Sequence, residues 1–256
     1  KDIVIQGNDG GSTITALEFD MSGGGNATFA GTVTGTSFNG IPFYSGPEGN
    51  SMYTHDVSTT DNEAKFNTAY GFGAMDAITT GDSNTAIGYG ASGGLTTGEL
   101  NTAVGESALL TNQTGDRNTA IGANALATFN ATDTNGDNVA VGYNTGANLT
   151  TGTHNVLLGN YAGDGFQVGQ QNIAIGSFAL SADNAGDYSV AVGTFALSAQ
   201  NAGSDGVDMY NTAVGYSAGA AVTTGTKNTI LGALAGDALT EGEKNVAIGY
   251  AALGSD

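Results

Sequence analysis

The sequence predicts an all-β chain: a parallel β-solenoid of 17-residue coils behind a small N-terminal β stem. Three observations predict it. The pentad Asn-Thr-Ala-Ile-Gly and its close variants begin at Asn67, Asn84, Asn101, Asn118, Asn138, Asn155, Asn172, Ser189, Asn211, Asn228 and Asn245, in steps of 17 residues broken once by 20 and once by 22. A fixed period this short marks stacked coils, none of which can bury its apolar face alone. Two glycines recur in each coil, which disfavours helix throughout. Finally, 43 glycines, two prolines, 39% apolar and only 11% charged residues make the chain too apolar for disorder and too poor in charge for an ordinary globule.

The elements follow in order. Residues 1–40 read as a β-rich stem or neck: Ile3 to Ile5, Thr13 to Phe19 and Thr28 to Thr34 gather β-formers between glycine-rich turns. Residues 41–49 hold both prolines, Pro42 and Pro47, and read as a joint. Residues 50–66 keep the 17-residue phase but not the motif, as expected of a capping coil with a different outer face. Residues 67–256 are the solenoid of eleven repeats.

With the leading asparagine as position 1, position 2 is Thr, Val or Ile, and position 3 is Ala except at Leu157 and Ile230. Position 4 is aliphatic except at Tyr70, position 5 is always glycine, position 8 is Ala except at Thr145, and a second glycine recurs near position 15. Period-two alternation puts positions 2 and 4 on one face and position 3 on the other. Gly88, Gly105, Gly122, Gly142, Gly159, Gly176, Gly193, Gly215, Gly232 and Gly249, with the second glycines, are predicted corners joining two short strands per coil. Ile121 and Ile175 stand for the position-4 column, predicted as the aliphatic interior, each side chain contributing about 1.5–3 kcal/mol. On that reading Ile121→Asp breaks the stack locally. The position-1 asparagines are expected to form an amide ladder, and coils stacked at ~4.8 Å make a rod of roughly 50–60 Å.

Chemistry is sparse. A formal charge of −19 repels phosphate backbones and anionic membranes, so no nucleic-acid partner is expected. No run of eighteen apolar residues suggests membrane insertion, and with no cysteine there is no disulfide or thiolate metal site. The two histidines, His55 and His154, read as turn residues, so no catalytic residue and no cofactor is expected. Acids after the second glycine (Asp82, Glu99, Asp116, Asp187, Glu243) read as solvated turn acids, since Thr153, Gln170 and Thr226 interrupt them. The part of a calcium loop at 133–137 lacks its first acid and closing glutamate, so no metal site is assigned. The pairs Thr79-Thr80, Thr96-Thr97, Thr150-Thr151 and Thr223-Thr224 are too interrupted for a continuous ice-binding face, and no paired carboxylates suggest glycosidase chemistry. The candidate ligand contacts are aromatic residues at positions 6 and 7: Tyr143, Tyr161, Phe178, Phe195 and Tyr216. The insertions at 127–137 and 198–210 lengthen loops, where recognition tends to sit.

The pentads at Asn245 (Asn-Val-Ala-Ile-Gly), Asn172 (Asn-Ile-Ala-Ile-Gly) and Ser189 (Ser-Val-Ala-Val-Gly) resemble the head repeats of trimeric autotransporter adhesins. The longer form, Asn211 to Gly215 followed by Thr223-Thr224-Gly225, looks more like repeats in tail fibres of marine phages, as does Leu17 to Val33. The resemblance covers about four-fifths of the chain, chiefly residues 50–256. It implies a left-handed β-roll, three chains side by side, and the alanine column at position 3 turned toward the shared axis. It implies a non-enzymatic homotrimeric fibre of a phage virion, spacing or presenting a surface for a host receptor or glycan. The same roll would equally suit a bacterial surface adhesin or an extracellular filament subunit. The adhesin repeat is shorter than seventeen residues, so that family's binding surface is not carried over.

Overall fold

The computed structural model describes residues 64–131 and 135–254, together with the strand backbones at 3–9, 12–20, 26–28, 44–45 and 52–53. Pro42, Pro47, His55, Asp133 and Thr134 lie outside the described residues, as does most of the expected joint and cap. The chain divides into Lys1–Pro42 and Phe43–Asp256. In the first unit β1 (Ile3–Asp9), β2 (Ser12–Asp20) and β3 (Asn26–Thr28) form an antiparallel sheet, with Ile3 opposite Phe19 and Asp9 opposite Ser12. Of the third expected strand, Thr28 lies in β3 and residues 29–34 lie outside the described residues.

The second unit is a parallel solenoid. It opens with β4 (Tyr44–Ser45) and β5 (Met52–Tyr53), which pair antiparallel. The coil strands are β6 (Thr68–Tyr70), β7 (Thr85–Ile87), β8 (Thr102–Val104), β9 (Thr119–Ile121), β10 (Val139–Val141), β11 (Val156–Leu158) and β12 (Ile173–Ile175). After β13 (Gly186–Asp187) come β14 (Val190–Val192), β15 (Val207–Asp208), β16 (Thr212–Val214), β17 (Thr229–Leu231) and β18 (Val246–Ile248). Apart from the short pair β13–β15, all strands from β4 onward join one 13-stranded sheet. Each coil lies in parallel register on the next, and both insertions loop out without shifting it: Thr119 faces Val139, and Val190 faces Thr212. Met52 faces Thr68, so the step into the first full coil is 68 − 52 = 16 residues, one fewer than the phase expected from Asn50.

Each coil contributes a three-residue strand at positions 2–4, and only the coils that begin at Asn172 and Ser189 add a second, the two-residue β13 and β15, where the sequence reading expected two strands in every coil. The reason is backbone conformation. Positions 7 and 9 of the described coils, and the residue just before each next coil, have positive φ, usually in non-glycine residues: in the middle coils Tyr161 (59°), Leu126 (51°) and His154 (61°). Such residues cost about 1–2 kcal/mol each outside a supporting structure. Here each N–H donates to the carbonyl of the neighbouring coil, as in Tyr161 to Tyr143 at 3.0 Å and Leu126 to Thr145 at 3.0 Å. The two glycine columns have different causes. At Gly159 φ is +132° and a Cβ would lie 2.7 Å from the Gly176 carbonyl carbon, whereas Gly169 has no positive φ and only lacks room, its Cβ position being 2.8 Å from the Gly186 oxygen.

The interior overturns one expectation. Position 3 points inward: Ala69, Ala86, Ala103, Ala120, Ala140, Ala174, Ala191 and Ala213 are fully buried, with Leu157 beside them. Position 4 points outward, so Ile121 is 39% exposed and Ile175 half-buried, and neither belongs to the core. The bulk of the core comes from position 9 (Met75, Leu109, Leu126, Leu180, Leu197) and position 12 (Ile78, Leu95, Phe129, Leu149, Phe166, Val222). A thin coil accommodates alanine at position 3 because these longer side chains fill the space from the other wall.

The two large residues at position 3 reveal how that volume is shared. Leu157 stands between position-9 glycines, its Cδ1 being 2.7 Å from a Cβ placed on Gly146 and its Cδ2 2.8 Å from one on Gly163. Ile230 likewise fills the space over Gly219 and Gly236, at 2.9 and 3.1 Å. Where the core residue moves to the strand, the opposite wall gives way to glycine, conserving volume.

The position-1 asparagines are buried and form the expected ladder. The Asn155 backbone N–H and Nδ2 both donate to Asn138 Oδ1, at 3.0 and 3.1 Å, and Nδ2 also donates to the Gly169 carbonyl at 2.9 Å. Asn155 Oδ1 in turn accepts the Asn172 N–H at 3.0 Å. At the one break, Ser189, the amide comes from across the coil. Gln200 Nε2 donates to Ser189 Oγ at 2.9 Å, and Gln200 Oε1 accepts Asn211 Nδ2 at 2.8 Å.

Candidate functional site

The five aromatic candidates fall into one continuous row. Tyr161 stacks on Phe178 (centroids 5.0 Å apart, planes 8° apart), and Phe178 stacks on Phe195 (5.3 Å, 12°). Tyr143 meets Tyr161 edge-to-face (5.5 Å, 83°), and Tyr216 meets Phe195 the same way (6.5 Å, 84°). Each coil turns sharply after its position-5 glycine, and the positive φ at position 7 aims Tyr161, Phe178 and Phe195 along one line. The three central rings cover one another's faces and present edges to solvent. The two end rings are turned by about a right angle, so their faces look away from the stack axis; Tyr143 is 47% and Tyr216 56% exposed.

The polar members of position 6 complete this surface; the sequence reading took only the aromatic residues of that position and missed them. Between Tyr143 and Tyr216 it holds Asn160, Ser177 and Thr194, readable as the column Tyr-Asn-Ser-Thr-Tyr. Asn160 Oδ1 accepts the Tyr143 N–H at 3.1 Å. A second stack, Tyr188 on Tyr210 (5.1 Å, 11°), is formed by the last residues of two successive coils and was also missed, because the 22-residue step separates the two in sequence.

Other candidates have structural duties. The first threonine of each pair donates its hydroxyl to a carbonyl one coil on: Thr79 to Thr96 (2.9 Å), Thr96 to Gln113 (2.9 Å), Thr150 to Gln167 (2.7 Å) and Thr223 to Thr240 (3.1 Å). Turn acids cap the preceding coil: Asp82 accepts the Lys65 N–H (2.6 Å), Asp116 that of Glu99 (2.8 Å) and Asp187 that of Gln170 (2.7 Å). Among the described residues no three acids or histidines sit close enough to share a metal ion. The two insertions flank an open groove of about 920 Å³, lined by Thr97, Glu99, Asp116, Thr151, Gln170 and Asp205 among others.

His154 lies at the rim of that groove with Nδ1 2.9 Å from Thr153 Oγ1 and Nε2 3.5 Å from Asp137 Oδ2. This is no hydrolytic relay. The imidazole is exposed, and Asp137 is already bound bidentately by Arg117, at 2.7 and 2.9 Å. Those guanidinium bonds hold the Asp137 carboxyl below its ordinary range. The associated stability is present at neutral pH and lost as pH falls through the depressed value, and solvent exposure keeps it small.

Asp187 shows the opposite shift. Burial raises its pKa, the Gln170 N–H opposes the rise, and the charges of Asp205, Asp208 and Asp183 add to it. A carboxyl whose folded pKa exceeds the unfolded one stabilises the protonated fold, so this contribution grows as pH falls through the raised value. At neutral pH Asp187→Asn, whose Oδ1 still accepts the Gln170 N–H, is expected to melt at or slightly above the parent temperature. Asp187→Ala, which loses that bond, should melt below it, and thermal scans across pH check both.

No family model matches the chain, and no curated protein and no solved structure matches it.

Proposed function

We propose that this chain is a structural, non-enzymatic segment of a trimeric fibre, a phage-tail appendage of the virion that presents a host-receptor surface. One observation carries the assembly. Positions 2 and 4 form two outward columns along the whole coil sheet, leaving Ile87 40%, Ile121 39%, Leu231 47% and Ile248 65% exposed on a single chain. The position-4 column is aliphatic without a break from Ile87 to Ile248, flanked by threonine, valine and isoleucine at position 2, and an outward face of this extent calls for a partner surface. In a parallel trimer the three sheets cover one another about a common axis, which assigns the β-branched columns, and not the alanines, to the seam. The repeat resemblance supports the fibre reading, and the row of rings supplies a surface to present.

Light scattering tests it. The intact chain is expected at three times its own mass. Ile121→Asp/Ile175→Asp is expected as a folded monomer whose melting falls only by the lost contribution of assembly, because both side chains lie outside the coil core. A monomeric parent, or a double variant that stays trimeric, would overturn the proposal.

A further inference from the structure

The position-6 strip from Tyr143 to Tyr216 has the makings of a ligand track. Its two ends are tyrosine faces turned out of the ring stack, and the stacked edges of Tyr161, Phe178 and Phe195 run beside it at position 7. Between the ends lie the Asn160 amide nitrogen and the hydroxyls of Ser177 and Thr194, one per coil. Among the described residues none of these groups is engaged by another protein group, unlike Asn160 Oδ1, which accepts the Tyr143 N–H. The strip therefore alternates flat apolar faces with evenly spaced, free donors and acceptors. That combination matches a sugar chain, whose rings carry apolar C–H faces and equatorial hydroxyls. It suits a peptide strand less well, because the carbonyls of Asn160, Ser177 and Thr194 already accept the N–H groups of Phe178, Phe195 and Ser217 and leave no acceptor row along it.

Length and charge narrow the ligand. From Tyr143 to Tyr216 there are four coil steps, or ~19 Å at ~4.8 Å per step. The chain's net charge of −19 opposes uronic-acid and sulfated chains. We infer that this strip binds a neutral, extended oligosaccharide, with one terminal sugar ring on Tyr143, another on Tyr216, and the intervening hydroxyls bonded to Asn160, Ser177 and Thr194. The inference deepens the proposed function and rests on its premise that the fibre presents a receptor surface.

The test uses the intact chain with neutral gluco-, galacto- and manno-oligosaccharides of one to six units, and oligouronates for comparison. With no tryptophan in the chain, tyrosine emission reports binding directly, and saturation-transfer NMR identifies the sugar protons in contact. Affinity is expected to rise with length and level off at about five units, one at each position-6 residue from Tyr143 to Tyr216, given ~4.8 Å per coil. Tyr143→Ala and Tyr216→Ala should each weaken binding about tenfold or more. Tyr89→Ala, which removes an exposed position-6 ring outside the strip, should leave it unchanged. Light scattering on the same variants separates this inference from the assembly. A monomeric parent that still binds through Tyr143 and Tyr216 overturns the trimer and upholds the strip. Failure of every neutral oligomer to bind, undiminished binding in the double tyrosine variant, or a changed assembly mass on removing either tyrosine overturns the strip.

Discussion

Leu157→Ala is expected to cost about 3 kcal/mol and Gly163→Leu a comparable amount, while the two together restore most of the parent stability. Leu157 is fully buried, so its truncation leaves a cavity facing Gly146 and Gly163. A side chain on Gly163 in the parent collides with Leu157 Cδ2 at 2.8 Å and Phe166 Cδ2 at 2.7 Å. The double variant reproduces the Ala120, Leu126 and Phe129 set of the coil that begins at Asn118, all three buried. Backbone geometry permits it, since Gly163 has φ 58° and Leu126 has φ 51°. Urea unfolding of the four proteins measures the coupling. If the double variant loses the sum of the two single losses, shared volume across the coil is the wrong account of positions 3 and 9.

The second large effect concerns the interrupted ladder. Gln200→Leu is expected to destabilise by about 3–5 kcal/mol, because it removes the side-chain partner of the buried Asp183 Oδ2 and one of the two acceptors of the buried Asn211 amide at once. Gln200 Nε2 donates to Asp183 Oδ2 at 2.5 Å and to Ser189 Oγ, while its Oε1 holds Asn211. All four residues are fully buried. Recovery is expected from Asp183→Asn/Ser189→Asn/Gln200→Leu. This returns the ladder amide, keeps an Oδ1 for the backbone N–H groups that Asp183 caps, and removes the charge, much as Asn112 caps Gly115 at 2.9 Å. Parent-like melting of Gln200→Leu alone would show that the amide is dispensable.

The architecture was largely legible because repetition makes it so. Identical pentads at fixed steps imply parallel strands in register, and the asparagine ladder followed from stacking alone. Which face is inside was not legible from alternation. Period two separates Ile121 from Ala120 without saying which points inward, and hydrophobicity favoured the wrong one. The corrective signal was present in the coincidence of Leu157 and Ile230 with glycines at position 9, a correlation across a coil and not along a strand. The turns were hidden for a different reason. Residue preference assigns positive φ to glycine, yet Tyr161, Leu126 and His154 adopt it because the adjoining coil supplies a carbonyl for each N–H. The aromatic row was foreseen as a column, but ring orientation, which decides whether a face or an edge meets a ligand, is set by the stacking itself.

Every ladder asparagine offers the same donors on one side and the same acceptor on the other, so most coils have interchangeable joints. Unequal exchange between gene copies of the motif can therefore shorten or extend such a solenoid by whole rungs without creating a mismatched junction. Two stretches are exempt. Gly146, Leu157 and Gly163 must be inherited as a block, and so must Asp183, Ser189, Gln200 and Asn211, because each set completes its contacts only across neighbouring rungs. Length can drift in lineages carrying this design, while those two segments mark where breakpoints are not tolerated.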